Sequence, residues 1–238
     1  MIPGVPGDSQ VYLNGEFLRV DEAKISVLDR GFIFGDGIYE VVPVYQGNAF
    51  RMAEHLNRLD RSLAALRIAQ PFDRAGWIDL IQQLLARTEL ETCIVYLQVT
   101  RGVAKRDHQF PSVPVTPTVF GMVSAWSPPA ATQRAQGLSA ISIPDERWLH
   151  CEIKSVSLLG NVLAKQQAVD AQVDEVLQDL LSRGGGIRTR GTREGPPTFQ
   201  AGAFDHSATS PCCGRSCRSS RILRETSYRN KGIEMIRS

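Results

Sequence analysis

The sequence predicts an α+β protein in two parts, and three observations carry that expectation. Short alternating strands and amphipathic helices succeed one another from Val11 to Trp126, the proline-stiffened stretch Ser127-Pro-Pro-Ala-Ala interrupts them, and a second strand-and-helix series begins after it. The expected layout is a flexible lead-in over 1–10, a small α+β domain over 11–126, a linker over 127–133 and the start of a larger α+β domain over 134–178. A tail of different character, expected to be disordered, fills 179–238. With 238 residues, 42% hydrophobic content and a formal net charge of +2, the composition is that of a soluble globular protein. No apolar run approaches membrane-spanning length. Pro3, Gly4, Pro6, Gly7 and Asp8 stand where a secretory apolar stretch would, so a cytoplasmic location is expected.

Each element has its own justification. Val11-Tyr-Leu-Asn-Gly-Glu-Phe-Leu18 sets Asn14-Gly15 between two short apolar runs and predicts a hairpin, because both turn residues tolerate positive φ. Residues 29–42 follow as a glycine-rich loop, broken into turns by Gly31, Gly35 and Gly37, that feeds a strand over 38–45. Residues 53–69 have a helical period, with Leu56, Leu59, Leu63 and Leu66 on one face. Asp73 is placed to cap a second helix running to residue 89, with Trp77, Ile81, Leu84 and Leu85 inward. Strands are expected over 94–100 and 118–126. Between them lies Thr100-Arg-Gly-Val-Ala-Lys-Arg-Asp-His-Gln-Phe-Pro111, a loop with three cationic side chains and one histidine. Beyond the linker, 138–143 reads as a strand. Ser155 and Ser157 start a helix whose apolar stripe would be Leu158, Leu159, Val162 and Leu163, and 173–177 begins the next strand.

The chain is organised around Cys151-Glu-Ile-Lys-Ser-Val-Ser-Leu-Leu-Gly-Asn-Val-Leu-Ala-Lys-Gln-Gln-Ala168. Lys154, just before a helix start, is by itself either a solvated cation or an amine tethered by packing. The segment resembles the lysine segment of the fold-type IV pyridoxal-phosphate aminotransferases. The likeness is greatest to the bacterial D-amino-acid aminotransferases, where an Ile-Lys-Ser-Leu/Val-Asn/Ser-Leu-Leu run carries the cofactor lysine. Asp29-Arg-Gly-Phe-Ile-Phe-Gly-Asp-Gly-Ile-Tyr-Glu-Val-Val42 resembles the same family almost residue for residue, and Glu54-His-Leu-Asn-Arg-Leu59 resembles its Glu-His-Ile/Leu-x-Arg-Leu motif.

The resemblance implies a transaminase that moves an amino group between D-amino acids and 2-oxo acids with pyridoxal 5'-phosphate as cofactor. Lys154 would be the Schiff-base lysine and the base at the substrate Cα, and Arg58 would grip the phosphate through its fork of donors. Arg106 and His108 match the family's Arg-x-His pair and, with Tyr39, would hold the substrate α-carboxylate. That pair favours the D-amino-acid branch over the branched-chain aminotransferases and aminodeoxychorismate lyases, which share the glycine loop and the lysine. In the family this loop reaches into the partner subunit's site, so a homodimer is implied. Each position also has a plainer alternative: Tyr39 as a half-buried strand tyrosine, Arg58 as a solvated helix charge, His55 as structural, and the loop of Arg106 and His108 as a basic surface loop.

The resemblance covers 11–178. Beyond it the family continues with a strand and an acidic Glu-Gly-Ser/Thr-Ser-Ser-Asn motif whose glutamate contacts the pyridine nitrogen. Here Ser182-Arg-Gly-Gly-Gly-Ile-Arg-Thr-Arg-Gly-Thr-Arg-Glu-Gly-Pro-Pro197 stands instead, and Glu194 only faintly echoes that motif. The charge changes with it: up to Gln178 there are 16 Lys and Arg against 20 Asp and Glu, a net of −4, and from Asp179 onward 11 against 5, a net of +6. The expectation is a large domain cut short by a tail translated out of frame, with a non-catalytic remnant as the alternative to an active enzyme. Cys212, Cys213 and Cys217 lack the paired spacing of a zinc site, and no aromatic platform accompanies the tail arginines, so neither metal nor nucleic acid is expected.

Overall fold

The computed structural model describes residues 9–145, 147–179 and 234–236, and its architecture is α+β, as the sequence predicts. The contacts divide the chain into two compact units. One comprises Met1–Ser127 with Glu152–Ser157, the other Pro128–Cys151 with Leu158–Ser238.

The first unit contains β1 (Gln10–Leu13), β2 (Glu16–Arg19), α1 (Arg30–Phe34), β3 (Gly37–Tyr45), β4 (Asn48–Ala49), α2 (Met52–Leu66), α3 (Arg74–Leu85), β5 (Cys93–Thr100) and β6 (Thr118–Ala125). Its six strands form one sheet in the order β2-β1-β6-β5-β3-β4, with every pair antiparallel. The β1–β2 turn is the expected hairpin: Asn14 and Gly15 take φ of 50° and 105°. The Asn14 side chain accepts from Val119 N at 2.8 Å, which pins the turn to β6. Cys93, Val95, Leu97 and Val99 alternate inward along β5. They meet Leu56, Leu59 and Leu63 of α2 and Trp77, Leu80, Ile81 and Leu84 of α3 in a single core.

Two helices end earlier than expected, α2 at Leu66 rather than at residue 69 and α3 likewise. Asp73 caps α3 through its carboxylate and Gly76 N at 2.7 Å, but the helix stops at Leu85 rather than at residue 89. Arg87 N and Thr88 N reach back only three residues, to Leu84 O and Leu85 O, so the last turn tightens and the helix cannot continue. The run expected as turns holds α1. Asp29 caps it by accepting from Gly31 N at 2.8 Å, and Gly35 closes it at φ 65°.

The second unit contains α4 (Ala131–Gln136), β7 (Ala140–Pro144), α5 (Leu159–Asp170), β8 (Glu175–Asp179) and β9 (Glu234–Ile236). β7 pairs parallel with β8 through the α5 crossover and antiparallel with β9. The expected helix after the lysine exists, but its inward face is not the leucine stripe. Leu159, Val162 and Leu163 are exposed, and Ala164 and Ala168 are buried. Two alanines four residues apart share a face and let the helix approach β7 and β8 closely, which branched side chains would prevent. α4 begins inside the stretch expected as linker. The expectations for Glu194, the three tail cysteines and most of the out-of-frame tail fall outside the described residues.

Candidate active site

Helix α2 presents two stripes one residue apart. Leu56, Leu59 and Leu63 enter the core, and beside them His55, Arg58 and Ser62 recur at the same spacing of three and four. All three polar residues meet groups that come from β3 or from the lysine segment. Sequence reasoning singled out Arg58, set His55 aside as structural and missed Ser62.

The centre of this arrangement is Glu40, which the sequence reading did not single out. Its side chain has no exposed surface. Arg58 donates to it twice, from Nε at 2.8 Å to one carboxylate oxygen and from Nη2 to the other, and His55 Nδ1 lies 2.9 Å from the second oxygen. Burial pushes the Glu40 carboxyl upward, but the hydrogen bonds from Arg58 and His55 and the charges of Arg58 and Lys154 outweigh it and hold the group below the usual carboxylate range. A buried anion paired with the Arg58 guanidinium therefore sits beneath the site.

Lys154 is reached from the other side of β3. The segment Glu152–Ser157 runs alongside the start of that strand: Tyr39 N donates to Lys154 O at 2.9 Å, Val156 N donates to Gly37 O at 3.1 Å, and Ile38 and Ser155 form an antiparallel bridge. Lys154 N in turn donates to the buried Ser62 hydroxyl at 3.3 Å. The lysine is only 4% exposed, and its Nζ stands 3.8 Å from the centre of the Tyr39 ring, a cation–π contact. This amine is held by packing and is not a solvated surface charge. Tyr39 is itself buried and stacks on Tyr96, with ring centres 5.7 Å apart.

The structure thus brings together Lys154 and Tyr39 and links Arg58 to them through Glu40. It places Arg106 and His108 elsewhere in the same unit, on the exposed loop after β5, where both flank Phe34. The Arg106 guanidinium lies 5.6 Å and the His108 ring 5.4 Å from that ring's centre. Among the described residues no group of His, Cys, Asp and Glu side chains could hold a metal ion, and no helix is long and apolar enough to cross a membrane.

Comparison with known proteins agrees with the geometry. Residues 37–187 match the family model for amino-transferase class IV. A D-alanine aminotransferase of Staphylococcus aureus (strain MSSA476) is 40% identical over 169 residues, covering 71% of this chain and 60% of that protein. One of Staphylococcus epidermidis (strain ATCC 35984) is 37% identical over 190 residues, covering 79% and 67%. The chain spans about three-fifths of the length of the first of these relatives. Among solved structures, a branched-chain aminotransferase from the thermophilic archaeon Thermoproteus uzoniensis superposes with a TM-score of 0.61 at 18% identity, covering 72% of this chain and 60% of that one. A hypothetical aminotransferase from Mycobacterium tuberculosis in its PLP-bound form gives 0.57 at 24%, covering 71% and 61%. At these identities the structural likeness speaks for the fold, and the match over 37–187 settles the wider assignment: with its buried lysine registered against the strand that follows the glycine-rich turn, the chain belongs to the class IV aminotransferases.

Proposed function

We propose that this chain acts on D-amino acids and 2-oxo acids as a transaminase of the D-alanine type, with pyridoxal 5'-phosphate as cofactor. The observation that carries this reading is the desolvated Lys154 amine over Tyr39, with the Arg58–Glu40 pair anchored on the same strand. The relatives named D-alanine aminotransferase supply the substrate class, and the Arg106-x-His108 pair supplies donors suited to an α-carboxylate.

Two of the groups such a cofactor needs, an amine for its aldehyde and a cation for its phosphate, are present. Lys154 is a primary amine kept out of bulk water, able to hold the aldehyde carbon, and Arg58 is a guanidinium whose side chain remains 26% exposed, able to take a phosphate. When bound, the cofactor supplies an electron sink for the substrate Cα. The remaining work belongs to the chain. Lys154 Nζ would take the proton from the substrate Cα and carry it to the cofactor's aldehyde carbon, and Tyr39 would wall that amine from water. Glu40 fixes Arg58 by two hydrogen bonds, so that the guanidinium stands in place before the phosphate arrives. Arg106 and His108 hold the α-carboxylate and thereby decide which face of Cα meets Lys154. In this reading the protein works in the cytoplasm as a homodimer, with the Arg106 loop serving the partner's site.

The test is cofactor capture. Purified full-length protein incubated with pyridoxal phosphate and then borohydride is expected to carry the label on Lys154 by peptide mapping, and Lys154→Ala is expected to carry none there. D-alanine with 2-oxoglutarate should then turn over in the unaltered chain. Label distributed over surface lysines with Lys154 untouched would rule the reading out.

A further inference from the structure

A second buried charge cluster stands at the entry to β3. Asp36, just before β3, accepts from Arg30 Nε at 2.7 Å and from Arg101 Nε and Nη2 at 2.7 and 2.9 Å. All three side chains are nearly buried, at 4%, 12% and 7% exposure for Arg30, Asp36 and Arg101. Each arginine has a further partner that is backbone. Arg101 donates to Leu66 O at 2.7 Å and Arg67 O at 3.1 Å, so it also satisfies carbonyls at the C-terminus of α2. Arg30 donates from Nη1 to Asp107 O at 2.6 Å. Asp107 is the residue between Arg106 and His108.

The rest of the loop is held from the same place. Arg30 N donates to Gly102 O at 2.9 Å, Ala104 N donates to Leu28 O at 3.3 Å, and the Arg101 guanidinium stacks 3.9 Å from the centre of the Phe110 ring. Arg30 also lies over Phe34 at 4.9 Å, the ring that Arg106 and His108 flank. With the Asp107 carbonyl held by Arg30, its two neighbours in sequence are exposed and both stand against Phe34.

We propose that Arg30, Asp36 and Arg101 form a positioning clamp that sets Arg106 and His108 at the mutual spacing one carboxylate requires. The proposal rests on the reading above that those two residues bind the substrate carboxylate. The clamp residues touch no substrate. They act by fixing the backbone between two residues that do, and Arg30 carries the decisive contact because it alone joins Asp36 to Asp107. A clamp built of buried charges suits this task, since each member is costly to leave unpaired and the arrangement therefore has one low-energy geometry.

The experiment follows the His108 ring signals of the full-length chain by NMR, assigned with His108→Gln, while propionate is added as a carboxylate without an amine. Arg30→Gln is expected to weaken propionate binding about tenfold, which corresponds to roughly 1.4 kcal/mol. Arg30→Lys, which reaches Asp36 or Asp107 O but not both, is expected to fall between. Borohydride labelling of Lys154 should be unchanged in both variants, as a general loss of structure would not allow. Propionate affinity unchanged in Arg30→Gln, with Arg106→Gln weakened, would overturn the clamp and leave the carboxylate reading standing. Affinity unchanged in Arg106→Gln as well would overturn both. Loss of Lys154 labelling in Arg30→Gln would mark Arg30 as merely structural and also overturn the proposal. If Arg30→Gln does not fold, Arg30→Lys decides by the same criteria.

Discussion

Replacing Glu40 by glutamine tests the site from beneath. The substitution keeps the volume and one acceptor oxygen but turns an amide N–H₂ toward a guanidinium, so a donor faces a donor and Arg58 loses its counter-charge. Breaking a buried ion pair by removing one partner costs roughly 3–5 kcal/mol. Arg58 is 26% exposed, and water recovers part of that loss, which brings the expectation to about 2–3 kcal/mol. The assay is urea unfolding at pH 7.5 followed by tryptophan fluorescence in a Trp148→Phe background, so that Trp77 and Trp126 report the first unit. Acid supplies a second arm. Folded Glu40 is held below the usual carboxylate range, so the folded state binds fewer protons than the unfolded one. Its contribution is then complete above the ordinary glutamate value of about 4.3 and is lost as pH falls through the folded value. The other carboxylates titrate in both proteins and cancel in the difference. The stability gap between parent and Glu40→Gln should therefore be flat above roughly pH 5 and narrow below about pH 4. A gap under about 0.5 kcal/mol at neutral pH, or one unchanged in acid, would refute the assignment of Glu40 as a charged, paired anchor.

Other substitutions probe the frame. Gly102 sits at φ 97°, and a β-carbon there would lie 2.1 Å from Thr116 O, a backbone atom that cannot swing aside, so Gly102→Ala should lose roughly 2–4 kcal/mol in the same urea assay. In α5, Ala168→Leu should cost about 1–3 kcal/mol by overpacking and Leu163→Ala should stay within about 0.5 kcal/mol, measured by thermal melting; the reverse ranking would restore the leucine stripe.

Much of the first unit could be read in advance because local rules and packing agree there. Leu56, Leu59 and Leu63 keep helical spacing and all three are fully buried, Asp73 caps where its side chain predicts, and Asn14-Gly15 turns where its φ values allow. Glu40 was illegible for a specific reason. It falls in phase with Ile38, Val42 and Val44 on the buried face of β3, where a period of two calls for an apolar side chain, and the partners that admit a charge there, Arg58 and His55, come from α2. Those partners stand 15 and 18 positions further on, in another element, and no local period announces them. The orientation of α5 failed similarly: the helix exists by pattern, but which face turns inward depends on the sheet it meets, and closeness of approach favoured alanine over leucine. Lys154 was found by resemblance, whereas its burial and its tyrosine neighbour follow only from the register with β3.

That register has a consequence for how the chain tolerates changes in length. Lys154 is held in ladder with Tyr39 and Gly37 over Glu152–Ser157, and along an extended chain a slip of one residue turns every side chain to the opposite face. A single insertion or deletion between the partners of Tyr39 and Gly37 would therefore carry the amine away from the tyrosine while leaving composition and charge almost untouched. Residues 147–151, between β7 and this ladder, belong to neither, and extra residues there cost only the slow logarithmic penalty of a longer connection. For the amine, the spacing that matters is a matter of parity over a few residues, and the length of the connection leading to it is comparatively unconstrained.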